Sequence, residues 1–195
     1  MKHRIIVASI LMAIGAASAL AQTTADTIQR DVNQQTRIEN GLKDGKLSTK
    51  EAGRLEREQS QIEKLQAKDL KDGKLSPRER AQLRKAQDKA SLDIKAAEAN
   101  NVKGNSTSKS SERMQADVQR NVNQETRIEQ GVKSGALTNQ ETAKLERGQA
   151  RIDRKEARAA KDGHVGMGEQ AGIQHAENKQ SEKIFNKKHN AQAKK

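Results

Sequence analysis

Large apolar residues are thinly and regularly spread along the chain. Ile28, Val32, Ile38 and Leu42 lie at helical intervals, as do Leu55, Ile62 and Leu65, and then Leu83, Ala86 and Ile94. Polar and charged residues fill the gaps, so the pattern predicts amphipathic helices with a narrow apolar seam, closer to a coiled-coil seam than to a broad buried face. The same spacing returns as Val122, Ile128, Leu145, Ile152, Ile173 and Ile184. Helices are predicted over 26–43, 48–71, 76–99, 114–133, 138–161 and 167–186.

The recurrence is a duplication. Residues 31–75 align with 121–165 without a gap at an offset of 90, and 21 of those 45 positions are identical. A shorter repeat is nested inside: KDGKLSTKE from Lys43 returns as KDGKLSPRE from Lys71, and KSGALTNQE from Lys133 is followed by KDGHVGMGE from Lys161. Each of these four segments reads as a stop and a restart. Gly45, Gly73, Gly135 and Gly163 can take the left-handed conformation that closes a helix. Ser48 with Glu51, Ser76 with Glu79, and Thr138 with Glu141 form capping boxes for the next helix, while Gly166 with Glu169 makes a weaker one. Pro77 follows Ser76 at a first helical position, where its missing N–H is no loss.

The predicted fold is therefore all-α: two tandem copies of a small three-helix unit with short glycine turns, partly flexible. The units span 22–99 and 114–186. A flexible linker rich in Asn, Gly and Ser separates them at 100–113, and a basic tail follows at 187–195. The second unit has the thinner seam, since Leu65 and Leu70 are matched by Lys155 and Ala160.

The first 21 residues read as a signal peptide: Lys2 to Arg4 are basic, Ile5 to Ala13 almost wholly apolar, and Ala19-Leu20-Ala21 is a small-x-small cleavage site before Gln22. The expectation is export to a bacterial periplasm or beyond, with no transmembrane anchor after cleavage.

Composition narrows the function. Apolar residues make up 32% of the chain and charged residues 33%, with one aromatic, Phe185, and no Cys. Thiol chemistry, disulfides and thiolate metal sites are thereby excluded. No nucleophile elbow, phosphate loop or zinc-protease motif is present, which argues for a non-enzymatic binding or structural protein. The net charge is +12, but the units carry only +3 over 22–101 and +1 over 114–185, whereas the last ten residues carry +4. That distribution argues against a dedicated nucleic-acid protein and leaves an unknown protein, or an anionic envelope component met by linker and tail, as partner. His164, His175 and His189 lack metal-ligand spacing and read as solvated. Helix acids and bases such as Glu56, Arg57, Glu58 and Lys64 read as a solvated face.

The four turns resemble the second half of an EF-hand calcium loop. Asp44, Gly45, Leu47, Ser48 and Glu51 occupy the fifth, sixth, eighth, ninth and twelfth places of that loop, and Asp72, Gly73, Leu75, Ser76 and Glu79 repeat them. The first place holds Asn40, Lys68, Gln130 and Arg158, and the third Leu42, Leu70, Val132 and Ala160, so the first half departs from the family. The resemblance implies calcium ligands at Asn40, Asp44 and Glu51, and less so at Asp72 and Glu79, with affinity on the order of millimolar. Helix capping explains the same Gly, Leu, Ser and Glu with no cofactor, so weakly bound calcium and no cofactor both stand as expectations.

Overall fold

A computed structural model describes the backbone of residues 11–190 and the side chains of 24–190. The start of the proposed signal peptide and the end of the basic tail lie outside the described residues. The proposed cleavage at Ala21 lies outside the described side chains. Packing is described from Thr24 onward, so a chain cut after Ala21 retains every core residue named below.

Six helices account for the described fold: α1 (Leu11–Lys43), α2 (Thr49–Asp69), α3 (Pro77–Ala99), α4 (Lys109–Lys133), α5 (Asn139–Ala159) and α6 (Met167–Lys188). There are no strands among the described residues, so the fold class is all-α as predicted. Short 3-10 turns, Leu70–Asp72 and Ala160–Asp162, end α2 and α5. The four turn glycines all have positive φ, between 67° and 90°. The three capping boxes close as read: Ser48, Ser76 and Thr138 each accept from the backbone N–H of the glutamate three residues on. At Gly166 only the return half exists, with Glu169 accepting from the Gly166 N–H at 2.9 Å. No described helix is long and apolar enough to cross a membrane.

The arrangement of the copies differs from the expected pair of tethered units. The dominant packing joins equivalent helices of the two copies, α1 with α4 and α2 with α5. Both pairs run antiparallel. Along α2 and α5, Gly53 meets Ala160 and Ser60 meets Ala150. Along α1 and α4, Lys43 at the end of one reaches Gln119 in the first half of the other. One apolar cluster unites Ile38, Leu42, Leu47 and Leu55 of the first copy with Met114, Val118, Ile152 and Ile173 of the second. A second unites Ile28 with Ile128, Leu145 and Ile184. Two thin seams thus complete each other, which explains how a chain so poor in large apolar residues encloses a core.

The stretch read as a flexible linker is likewise pinned. Its last five residues, from Lys109, already belong to α4, capped by Ser108. Gly104 N–H donates to the Gly45 carbonyl at 2.9 Å, and a Cβ on Gly104 would lie 2.1 Å from the Leu47 carbonyl oxygen. Only glycine lets the linker backbone lie this close to the first turn. Asn100 Nδ2 donates to Glu51 Oε1 at 2.6 Å, and at the equivalent place in the second copy Asn190 donates to Glu141.

The duplication is therefore also an approximate two-fold symmetry of the fold. Gln34 donates to the Gln87 carbonyl as Gln124 does to the Glu177 carbonyl, and Arg37 holds Ser91 as Arg127 holds Ser181.

Candidate functional site

The turn residues singled out by the EF-hand resemblance are placed as cap residues. Glu51 Oε2 accepts from the Ser48 backbone N–H at 3.0 Å and from its hydroxyl at 2.7 Å, while Oε1 accepts from Asn100. Partial burial opposes ionisation of Glu51, but the Ser48 and Asn100 hydrogen bonds outweigh it and hold its pKa below the usual value. Glu79 accepts from the Ser76 N–H at 2.8 Å, and Asp72 from the Lys74 N–H at 2.9 Å. Asp44 is exposed and pairs with Lys46 at 3.1 Å. Asn40 is exposed, and its carbonyl accepts from the Asp44 N–H at 2.8 Å. The turns do not bring three acids to one point: among the described residues, the trio of metal-ligating side chains whose ligand atoms lie within 4.8 Å of one another is Glu56, Asp153 and Glu156.

That trio lies inside the fold. In α2, Leu55, Glu56, Gln59, Ile62, Glu63 and Gln66 fall at i, i+1, i+4, i+7, i+8 and i+11, one continuous helical stripe. All six are buried. The equivalent stripe of α5 is Leu145, Glu146, Gln149, Ile152, Asp153 and Glu156, also buried throughout. Because α2 and α5 are antiparallel, the two stripes face each other, and Asp31 and Gln35 of α1 with Asn121 and Glu125 of α4 close the chamber. Glu56, glimpsed in the sequence as part of a solvated face, has 0% exposure. Arg57 and Lys64 do point outward, whereas Glu58 is half-buried, so that expectation fails fully at Glu56 and in part at Glu58.

The chamber is acidic and amidic, without basic partners. Among the described residues none of Asp31, Glu56, Glu63, Glu125, Glu146, Asp153 and Glu156 forms an ion pair with Lys or Arg. Amides bind some of the oxygens. Gln35 Nε2 donates to Glu56 Oε2 at 2.9 Å; Asn121 Nδ2 donates to both Glu156 oxygens, at 2.8 and 3.0 Å; and Gln66 and Gln87 donate to Asp31. Others accept from no amide, hydroxyl or backbone N–H, including Glu56 Oε1, Asp153 Oδ2, Glu63 Oε2 and both oxygens of Glu125 and of Glu146, although Glu56 and Glu156, and Glu63 and Asp153, are placed to share a proton.

Burial is the first cause of the unusual acidities here, because it disfavours the charged form. It pushes Asp31 up to about 7 and Glu56 up to about 8. Glu63, Glu125, Glu146, Asp153 and Glu156 are pushed well above the usual range by burial and then by the like charge of neighbouring carboxylates. A second, smaller acidic pair, Asp117 and Glu177, is also raised by burial, to about 7 and about 8, with Arg120 3.4 Å from Glu177 lowering both.

A signal for this chamber exists in the sequence. Glu56 and Glu146, Gln59 and Gln149, and Glu63 and Asp153 keep their chemistry at equivalent places, in register with the apolar Leu55/Leu145 and Ile62/Ile152. Polar residues inside the apolar stripe of a duplicated helix mark a buried polar layer. In comparison with known proteins, no family model matches the chain, nor does any curated protein or solved structure.

Proposed function

We propose that this is an exported, non-enzymatic binding protein whose ligand is a hard multivalent cation, held by Glu56, Asp153 and Glu156 in the interior between α2 and α5. The observation that carries the reading is the convergence of these three buried carboxyl groups within 4.8 Å, with Glu56 Oε1 and Asp153 Oδ2 left without an amide, hydroxyl or backbone donor. Buried carboxylates in contact must be neutralised, by protons or by a cation, because each uncompensated charge carries a desolvation cost of several kcal/mol. A proton shared between Glu56 and Glu156, or between Glu63 and Asp153, neutralises one charge and closes one contact. A cation satisfies several oxygens at once, and metal sites in helical bundles are assembled in this way from side chains on facing helices. The ligand atoms are carboxylate oxygens, oriented by the N–H groups of Gln35 and Asn121, which suits calcium, magnesium, manganese or a trivalent ion better than copper. The acids have 0% exposure, so their carboxylates are closed to an organic substrate, which supports binding of a small ion over catalysis.

The test is calorimetric titration of the chelator-stripped full chain with calcium, manganese(II) and lanthanum(III), with zinc as the soft control. Glu56→Gln should abolish binding at this site, while Glu51→Gln, in the first turn, should leave it intact. Binding lost in Glu51→Gln and kept in Glu56→Gln would move the ligand to the EF-hand-like turn. Absence of binding in the unaltered chain would remove the reading altogether.

A further inference from the structure

The approximate symmetry gives the Glu56 site a counterpart. Shifting Gln35, Glu56, Asn121, Asp153 and Glu156 by the offset of 90 yields Glu125, Glu146, Asp31, Glu63 and Gln66. The partnerships are kept but their chemistry is exchanged. Asn121 donating to Glu156 is mirrored by Gln66 donating to Asp31, an amide and an acid in swapped places. The exception is the pair equivalent to Gln35 and Glu56. In the first set an amide donates to a carboxylate at 2.9 Å. In the second set Glu125 stands opposite Glu146, two acids, and all four of their oxygens lack a hydrogen-bond partner although both side chains have 0% exposure. Gln149 reaches toward Glu125 without closing a hydrogen bond of regular geometry.

We infer that the chamber takes a second hard cation between Glu125 and Glu146, with Asp31 as a further ligand and Glu63 facing both cations. This rests on the cation reading of the Glu56 site. Four orphaned oxygens on two fully buried side chains are what a cation of this class binds and what protein hydrogen bonding here does not supply. Asp31 lies within electrostatic reach of both glutamates, and Glu63 lies within reach of Asp153 on one side and of Glu125 and Glu146 on the other. Among the described residues only the first trio meets the 4.8 Å mutual spacing, so the acids of the second set stand wider apart.

The discriminating variant is Glu125→Gln, which writes the first copy's Gln35–Glu56 pair into the second copy. Equilibrium dialysis of the full chain against calcium, manganese(II) and lanthanum(III), followed by metal analysis, should give two equivalents per chain. Glu125→Gln should give one, Glu56→Gln one, and the double variant none. In chelator, Glu125→Gln should melt at a higher temperature than the unaltered chain, because the introduced amide can donate to Glu146. With cation present its gain in melting temperature should be smaller. Glu146→Gln should lose the same equivalent and serves where Glu125→Gln yields no soluble protein. Two equivalents retained in both variants would overturn the second site. A single equivalent in the unaltered chain, lost in Glu56→Gln and kept in Glu125→Gln, would leave the Glu56 reading standing and remove this one. No bound cation at all would remove both.

Discussion

Ser60 and Ala150 occupy equivalent positions of the two copies, and the Ser60 hydroxyl donates to the Ala150 carbonyl at 2.7 Å where α2 crosses α5. The contact lies on the approximate two-fold axis, so it is where the duplicated sequence meets itself. Equivalence at this point is broken by the residues themselves, a serine against an alanine. A second serine opposite would place a hydroxyl on each side of a buried contact. Ser60→Ala should destabilise the fold by about 1 kcal/mol through the lost hydrogen bond, since the Ala150 carbonyl lies within the helix and retains its backbone partner. Chemical denaturation of the two proteins checks this, and an unchanged midpoint would show that the bond contributes nothing net.

The packing of like on like predicts how the halves behave apart. Residues 22–99 carry one side of every shared cluster and leave Ile38, Leu42 and Leu55 without the second copy's Ile152 and Met114. A fragment of 22–99 should therefore lack a cooperative thermal transition as a monomer, and should gain helix on mixing with 114–190. Circular dichroism at several concentrations, alongside sedimentation, distinguishes this from an autonomous unit, which would melt cooperatively at every concentration as a monomer.

Two glycines separate close packing from helix propensity. A Cβ on Gly53 would lie 2.5 Å from the Ala160 Cβ, so Gly53→Ala should cost about 1–3 kcal/mol by overpacking the α2–α5 crossing. Gly172, inside α6, has no such neighbour within 4 Å, and Gly172→Ala should stabilise by about 0.5–1 kcal/mol through backbone entropy. Opposite shifts in the denaturation midpoint are the expected result. A destabilised Gly172→Ala would mean that α6 does not sit as described.

The helices were legible in the sequence because their signals are local. Gly45 and Ser48 fix a stop and a start within four residues, and the observed α2, Thr49–Asp69, lies within the predicted 48–71. Linker and assembly were not legible from the same signals. Asn100 and Gly104 look like flexible punctuation, yet they are held by Glu51 and Gly45, partners far away in sequence that only the folded turn presents. Glu56 misled for a different reason. A glutamate beside Arg57 on a helix is ordinarily solvated, and its burial follows from α2 being covered by α5, a consequence of the duplication that composition does not express.

The caps give a prediction that separates turn chemistry from chamber chemistry. Ser76→Ala removes the acceptor for the Glu79 N–H and should cost about 1 kcal/mol. Glu51→Gln keeps a side-chain oxygen for the Ser48 N–H but loses the acceptor for Asn100, and should cost about 1 kcal/mol while the capping box persists. Neither should alter the amount of cation bound by the full chain. A cation equivalent lost in Glu51→Gln would return the EF-hand-like turn to consideration as a ligand.

The acid chamber sets the pH dependence, and its sign differs from that of most proteins. Asp31 is raised to about 7 and Glu56 to about 8, first by burial, so the folded chain holds protons that the unfolded chain releases at about pH 4. Between those values the folded state binds more protons than the unfolded one, and stability falls as pH rises. The contribution is fully present below the unfolded pKa and is lost as pH rises through the folded values; above about pH 8 the loss from Asp31 and Glu56 is complete. The capping carboxylates work in the other direction. Glu51 and Glu141 are held below the usual range, so their contribution disappears in stronger acid. The chelator-treated chain should therefore melt highest in mild acid and progressively lower toward pH 8. A bound cation replaces those protons, so its stabilising effect should be small near pH 5 and grow toward pH 8 as proton competition fades. Melting curves across this range, with chelator and with saturating manganese(II), test both slopes. Glu56→Gln should flatten the chelator curve, because glutamine stays neutral at every pH. A cation-free chain whose melting temperature rises steadily from pH 5 to pH 8 would show that the interior acids are not carrying the protons assigned to them.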